Sequence, residues 1–163
     1  MMQENGDHQV HNNRMDTEPN PDHALEYMKA FTSAQATRTE IYHEFESAIN
    51  DHANGIISAE EIQQVIRISQ EGFQDVSSDI MRQEQLLNSI GLTNLSNIIR
   101  QVQNLEKEKL EVTVKLLSSR VQAAQRPEIL YQAEIEDFTT RRQQLIYAIN
   151  EVMEEARAEM LEL

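Results

Sequence analysis

Cysteine is absent from this 163-residue chain, and so is tryptophan. Without thiols, disulfide staples and thiol chemistry are excluded, and zinc loses its commonest structural ligand. Glycine occurs four times and proline three times, too little punctuation for a β protein built from many turns. No uncharged apolar run approaches the length of a membrane helix, and Met1 to Val10 is polar. Neither a membrane span nor a secretory signal is expected. Net positive charge is also missing. At a formal −14 the chain is unsuited to nonspecific nucleic-acid binding, which rests mainly on Lys and Arg, although one locally basic face stays open to it.

What remains is helix-forming. Apolar residues make up 39% of the chain, enough for a core. Leu, Ile, Val, Glu and Gln dominate, residues that suit long packed helices. Residues 1–21 are the exception. Asn5, Gly6, Asn12, Asn13, Pro19 and Pro21 stand there with only Val10 and three methionines as apolar company. So little apolar surface cannot offset the entropy of ordering, and a disordered polar tail is expected.

A helix is expected to start near Asp22, a suitable N-cap. Leu25, Met28, Phe31, Ala34, Ile41, Phe45, Ala48 and Ile49 form its apolar stripe, interrupted by Arg38. Gly55 ends it, and Ser58 with Glu61 makes a capping-box pattern for a second helix. Ile62, Val65, Ile66, Phe73, Val76, Ile80, Leu87 and Ile90 are the second stripe, stopped by Gly91. Thr93 or Asn94 caps a third helix, with Leu95, Ile98, Ile99, Val102, Leu105, Val112 and Leu116 as its seam. Glu106-Lys107-Glu108-Lys109 reads as a solvated face, and Glu111 precedes Lys115 in the favourable i,i+4 order.

After Pro127, a turn or a kink, Ile135, Phe138, Leu145, Ile149, Val152 and Ala156 step by threes and fours around Arg142. That is a coiled-coil-like repeat. The fold class is therefore all-α, an elongated antiparallel bundle or coiled coil of three to four long helices. Residues 1–21 are its tail, 22–124 a three-helix bundle and 125–163 the heptad-patterned helix. Short links make sequential helices antiparallel neighbours, the first three each about 45 Å long at 1.5 Å per residue.

Several constellations invite chemistry. Asn50 to Glu61 mimics a twelve-residue calcium loop, with Gly55 at position six and Glu61 at twelve. Position one is Asn50 and position three is His52, however, so only Glu61 brings negative charge, and the caps explain the same residues. Glu40 and His43 have the E-x-x-H spacing of di-iron bundles, which need two such motifs. Here there is one. His8 and His11 lie in the tail without supporting ligands. Asn94-Leu95-Ser96 fits a glycosylation sequon but reads as a helix start. No nucleophile elbow or phosphate loop is present.

On the third helix, Arg100, Lys107, Lys109, Lys115, Arg120 and Arg126 outweigh Glu106, Glu108 and Glu111. This basic face either docks an acidic partner or complements the acidic last helix, which carries Glu134, Glu136, Asp137, Glu151, Glu154 and Glu155. The second alternative is the expected one. No aromatic residue interleaves the basic ones, so a base-stacking platform is missing. No catalytic, cofactor-binding or metal-binding residue is assigned, and no cofactor is expected.

Three stretches resemble the "required for excision, B type" DNA-repair domain family. Phe31 to Ile49 carries Arg38 followed by Tyr42 and Phe45. Ile66 to Leu86 contains Ser69-Gln70-Glu71-Gly72-Phe73. Val102 to Leu116 is the most distinctive. Together they lie within 22–124, and the segment after Pro127 matches least well. The resemblance implies a nuclear protein connected with DNA excision repair, with no defined enzymatic activity and no site residues to carry over. The expected function is a non-enzymatic adaptor that holds protein partners, with the last helix serving capture or self-association. A structural subunit of a cytoplasmic coiled-coil assembly is the alternative.

Overall fold

Apolar residues spaced by threes and fours wind the chain into four long helices: α1 (Ala24–Ala53), α2 (Ala59–Ser89), α3 (Thr93–Gln125) and α4 (Gln132–Leu161). A computed structural model describes residues 19–163, and among them there is no strand. The fold is all-α, as the periodicity requires. Most of the expected tail, with His8 and His11, lies outside the described residues.

Helix boundaries follow local chemistry, with three corrections. Asn20, not Asp22, is the first cap. Its side chain accepts from the Asp22 backbone N–H at 3.0 Å and opens a short 3₁₀ turn, Pro21–His23, ahead of α1. Asn20 N–H also donates to the Tyr27 hydroxyl at 3.1 Å, so order begins earlier than the tail composition suggested. At α3 neither Thr93 nor Asn94 caps; Leu92 occupies that position without a side-chain hydrogen bond. Gly55 (φ 73°) and Gly91 (φ 83°) do stop α1 and α2 in the left-handed region. Ser58 Oγ accepts from Glu61 N–H at 3.1 Å, the first half of the capping box. The stretch around Pro127 is a turn. α3 ends before it, and α4 folds back along α3.

Partner pairs run in opposite senses on neighbouring helices. Arg38 meets Ser77 and Tyr42 meets Phe73, so α1 and α2 are antiparallel. Arg100 meets Glu84 while Gln103 meets Ser77, so α2 and α3 are too. Arg141 of α4 meets Glu108 of α3, while Glu134 and Phe138, earlier in α4, lie beside Val114 to Gln122, later in α3, so these two are antiparallel as well. Two close hairpins, α1–α2 and α3–α4, thus join along α2 and α3, while α1 touches α3 and α4 more sparsely.

The bundle has three tiers. At the end where α2 turns into α3, all four helices share one dry core. Met28 and Phe31 of α1, Ile80 and Leu87 of α2, Ile99 and Val102 of α3, and Ile149 and Ala156 of α4 belong to it. Each fully buried large side chain there contributes about 1.5–3 kcal/mol. Midway lies a layer of buried charge. At the far end an open groove lies between the α1–α2 hairpin and α3. Within this arrangement the seam of α4 is packed inside the chain, with Leu145, Ile149, Met153 and Ala156 buried.

Candidate functional site

Glu106 and Lys109 stand at the centre of the charged layer. The run Glu106 to Lys109 is therefore not a solvated face. Steps of four from Val102 to Glu106 and three to Lys109 continue the α3 seam inward, leaving Glu106 4% and Lys109 8% exposed. Arg38, the interruption in the stripe of α1, is buried beside them. It donates to Gln35 Oε1 at 3.0 Å and to Gln103 Oε1 at 2.6 Å. Gln35 Nε2 in turn donates to Glu106 Oε1 at 2.7 Å. Arg142, the interruption in α4, bridges Glu46 of α1 and donates to Thr113 Oγ1 at 3.1 Å. Both polar members of the apolar stripes thus find partners across helices, as buried charges must.

The layer holds three cations, Arg38, Lys109 and Arg142, against two carboxylates, Glu46 and Glu106. Burial lowers the Lys109 pKa, while the charge and hydrogen bond of Glu106 oppose that shift. Burial likewise lowers Arg38 against the pull of Glu106. The Tyr42 phenol is pushed far up, first by burial and then by Glu106. Lys109 Nζ lies 3.3 Å from Glu106 Oε2 without donor alignment, so that oxygen has no hydrogen bond. A small polar cleft of about 350 Å³ between α1 and α4 is floored by Glu106 and Lys109.

Beyond the layer, the groove encloses about 790 Å³. Phe45 and Ile49 of α1, Ile66 and Phe73 of α2, and Leu110, Val114, Leu117 and Val121 of α3 line it. Its polar lining is Ser and Gln only. Sequence reasoning missed it, because periodicity marks which face is apolar and not whether a neighbour covers it. Exposed Ile56, in the link after α1, and Ile68, on α2, lie on the hairpin that forms one wall.

The other sequence candidates do not assemble. Asn50, Asp51 and His52 remain within α1, and Asn50 and Asp51 carbonyls accept from Asn54 and Ile56 N–H. Ser58 serves the cap, so residues 50–61 do not wrap around a cation. Among the described residues no three carboxylate or imidazole side chains converge as metal ligands. Glu40 and His43 are exposed on α1. Asn94 is exposed at the start of α3, and Ser96 Oγ bonds the Thr93 carbonyl.

The expected complement between α3 cations and α4 carboxylates is not what forms. The bridge between these helices runs the other way, from Arg141 of α4 to Glu108 of α3. Nor does Glu111 close a salt bridge with Lys115.

The described residues form an all-α bundle closed at one end, braced by buried charge and open along an apolar groove at the other. Comparison with known proteins supplies the family. The family described as DNA repair REX1-B matches residues 26–120, and the chain belongs to it. The chain is also similar to a heterochromatin silencing protein, rss1 of Schizosaccharomyces pombe. The two are 28% identical over 127 residues, 78% of this chain and 92% of that protein. No solved structure matches. Among the described residues, no helix is long and apolar enough to cross a membrane.

Proposed function

We propose that this chain is a non-catalytic adaptor of DNA excision repair that works in the nucleus, where it docks a protein partner through the groove between the α1–α2 hairpin and α3. The groove carries the reading. Eight apolar side chains from three helices line an open channel, whereas the apolar residues at the other end of the bundle pack against one another in the shared core. Such channels receive the apolar face of a partner helix. Membership of a DNA-repair family and likeness to a heterochromatin protein support DNA and chromatin as the setting. Capture through the α4 seam would require α4 to leave α3, so the groove is the better surface.

The test is affinity purification of the full chain and of Val114→Glu, from cells with and without ultraviolet damage. Val114 is 49% exposed, so the substitution blocks the groove while leaving the core intact. Repair or chromatin proteins should co-purify with the wild type and drop away with Val114→Glu. Recovery of cytoplasmic partners alone, insensitive both to damage and to the substitution, would defeat the reading.

A further inference from the structure

We infer that the occupant of the groove is an acidic amphipathic helix of about four turns. This rests on the adaptor reading and names the chemistry of the partner at the same surface. Length comes from the α3 wall. Leu110 to Gln125 spans about 22 Å at 1.5 Å per residue, matching a helix of about 15 residues. Its apolar stripe would meet Val114 and Leu117 on one side and Ile66 and Phe73 on the other.

Charge sets the flanks. None of the groove's lining residues is charged, so a buried charge on the partner finds no counter-ion there. The rim differs. From Lys107 to the C-cap Arg126, four cations, Lys107, Lys115, Arg120 and Arg126, and one carboxylate, Glu111, form no salt bridge among the described residues. Glu108, the other carboxylate of this stretch, is engaged by Arg141. In a chain of net charge −14 this is a local reversal of sign on the helix that walls the groove.

Two of these cations border it. A depression sharing Phe73 and Leu110 with the groove brings in Lys107. A second, sharing Val114, Ser118 and Gln122, brings in Lys115 together with Glu134 of α4. On α2, Arg67 stands with Glu71 and Asp75, so the positive charge of the rim lies on α3. Carboxylates flanking the partner's apolar stripe would thus meet Lys107 and Lys115, a complementarity that selects partners more than it raises affinity.

A displayed library of 16-residue helical peptides tests this, with a fixed leucine stripe and flanking positions randomised among Glu, Gln and Lys. The full chain is the bait. Glu should be enriched over Lys at the flanks by about tenfold, and the selected peptides should lose binding to Val114→Glu. Lys107→Glu with Lys115→Glu should reverse the enrichment toward Lys, an effect that mere loss of packing cannot produce. Circular dichroism verifies that each variant stays helical. Enrichment of Lys, or no enrichment, would overturn the acidic helix. If cellular partners were still lost with Val114→Glu in that case, the adaptor reading would survive without it. A dimer in sedimentation that Val114→Glu dissociates would also overturn it, by seating a second copy in the groove.

Discussion

Lys109 Nζ stands 4.0 Å from the centroid of the Tyr42 ring, on the side of α3 that faces α1. The ammonium is held between an aromatic face and the Glu106 carboxylate. Both contacts offset part of what burial costs the charge. Tyr42 leans in turn on Phe73, their centroids 4.7 Å apart. One lysine therefore ties the charged layer to the wall of the groove.

Glu106 is the carboxylate that Arg38 and Lys109 share. Glu106→Ala removes the carboxylate beside both buried cations and should destabilise the chain by about 3–5 kcal/mol. Lys109→Met should cost less, about 1–2 kcal/mol, because Glu106 keeps Gln35 as donor. Combining Glu106→Ala with Lys109→Met removes a charge of each sign. Urea unfolding of the double variant should show a loss smaller than the summed single losses by about 1 kcal/mol or more. Strict additivity would mean that the layer is not coupled.

Alkaline pH separates Lys109 from Tyr42. Because burial lowers the Lys109 pKa, the unfolded chain binds more protons just below the ordinary lysine value of about 10.4, so stability rises with pH through that window. Tyr42 acts in the opposite sense. Its raised pKa keeps it protonated when the unfolded phenol ionises, so stability falls as pH climbs above about 10. Tyr42→Phe should be near neutral at pH 7, since both ring contacts persist, and should flatten the loss above pH 10. Urea midpoints measured across that range provide the check.

Gly55 and Gly91 isolate the backbone contribution. A Cβ at either position would meet nothing within 4 Å, so a substitution there changes only the left-handed conformation. Gly91→Ala and Gly55→Ala should each lower stability by about 1 kcal/mol, and Asn at the same positions should lower it less. Thermal melts of the four variants would show the order.

Calcium should leave the link after α1 untouched. Asn50 and His52 remain helical and Ser58 is committed to its cap, so no set of oxygens encircles a cation. Amide NMR shifts of residues 50–61 should not move in millimolar calcium chloride.

The helices were legible because their stripes end at glycines the backbone needs, Gly55 and Gly91. Arg38 and Arg142 were legible as interruptions, yet their partners were not. Glu106 and Lys109 alternate with Lys107 and Glu108, and that alternation hides two inward positions behind the look of a wet face. Continuing the spacing from Val102 through Glu106 and Lys109 to Val112 was the signal that places them. The α3 cations were visible, but their pairing was not, since which charge meets which depends on the rotation of α4 about its own axis. The groove left no trace in the periodicity. It depends on whether a neighbouring helix covers an apolar face, which no single stripe encodes.

The charged layer has a further consequence for how the helices are threaded against each other. Hydrocarbon seams alone would tolerate α3 sliding by one turn, about 5.4 Å along its neighbours. Such a slip would carry Glu106 away from Gln35 and Gln103 away from the Arg38 guanidinium. Mismatched alignments are thereby penalised far more than the matched one is favoured, and the chain has a single gauge from which both of its ends are measured.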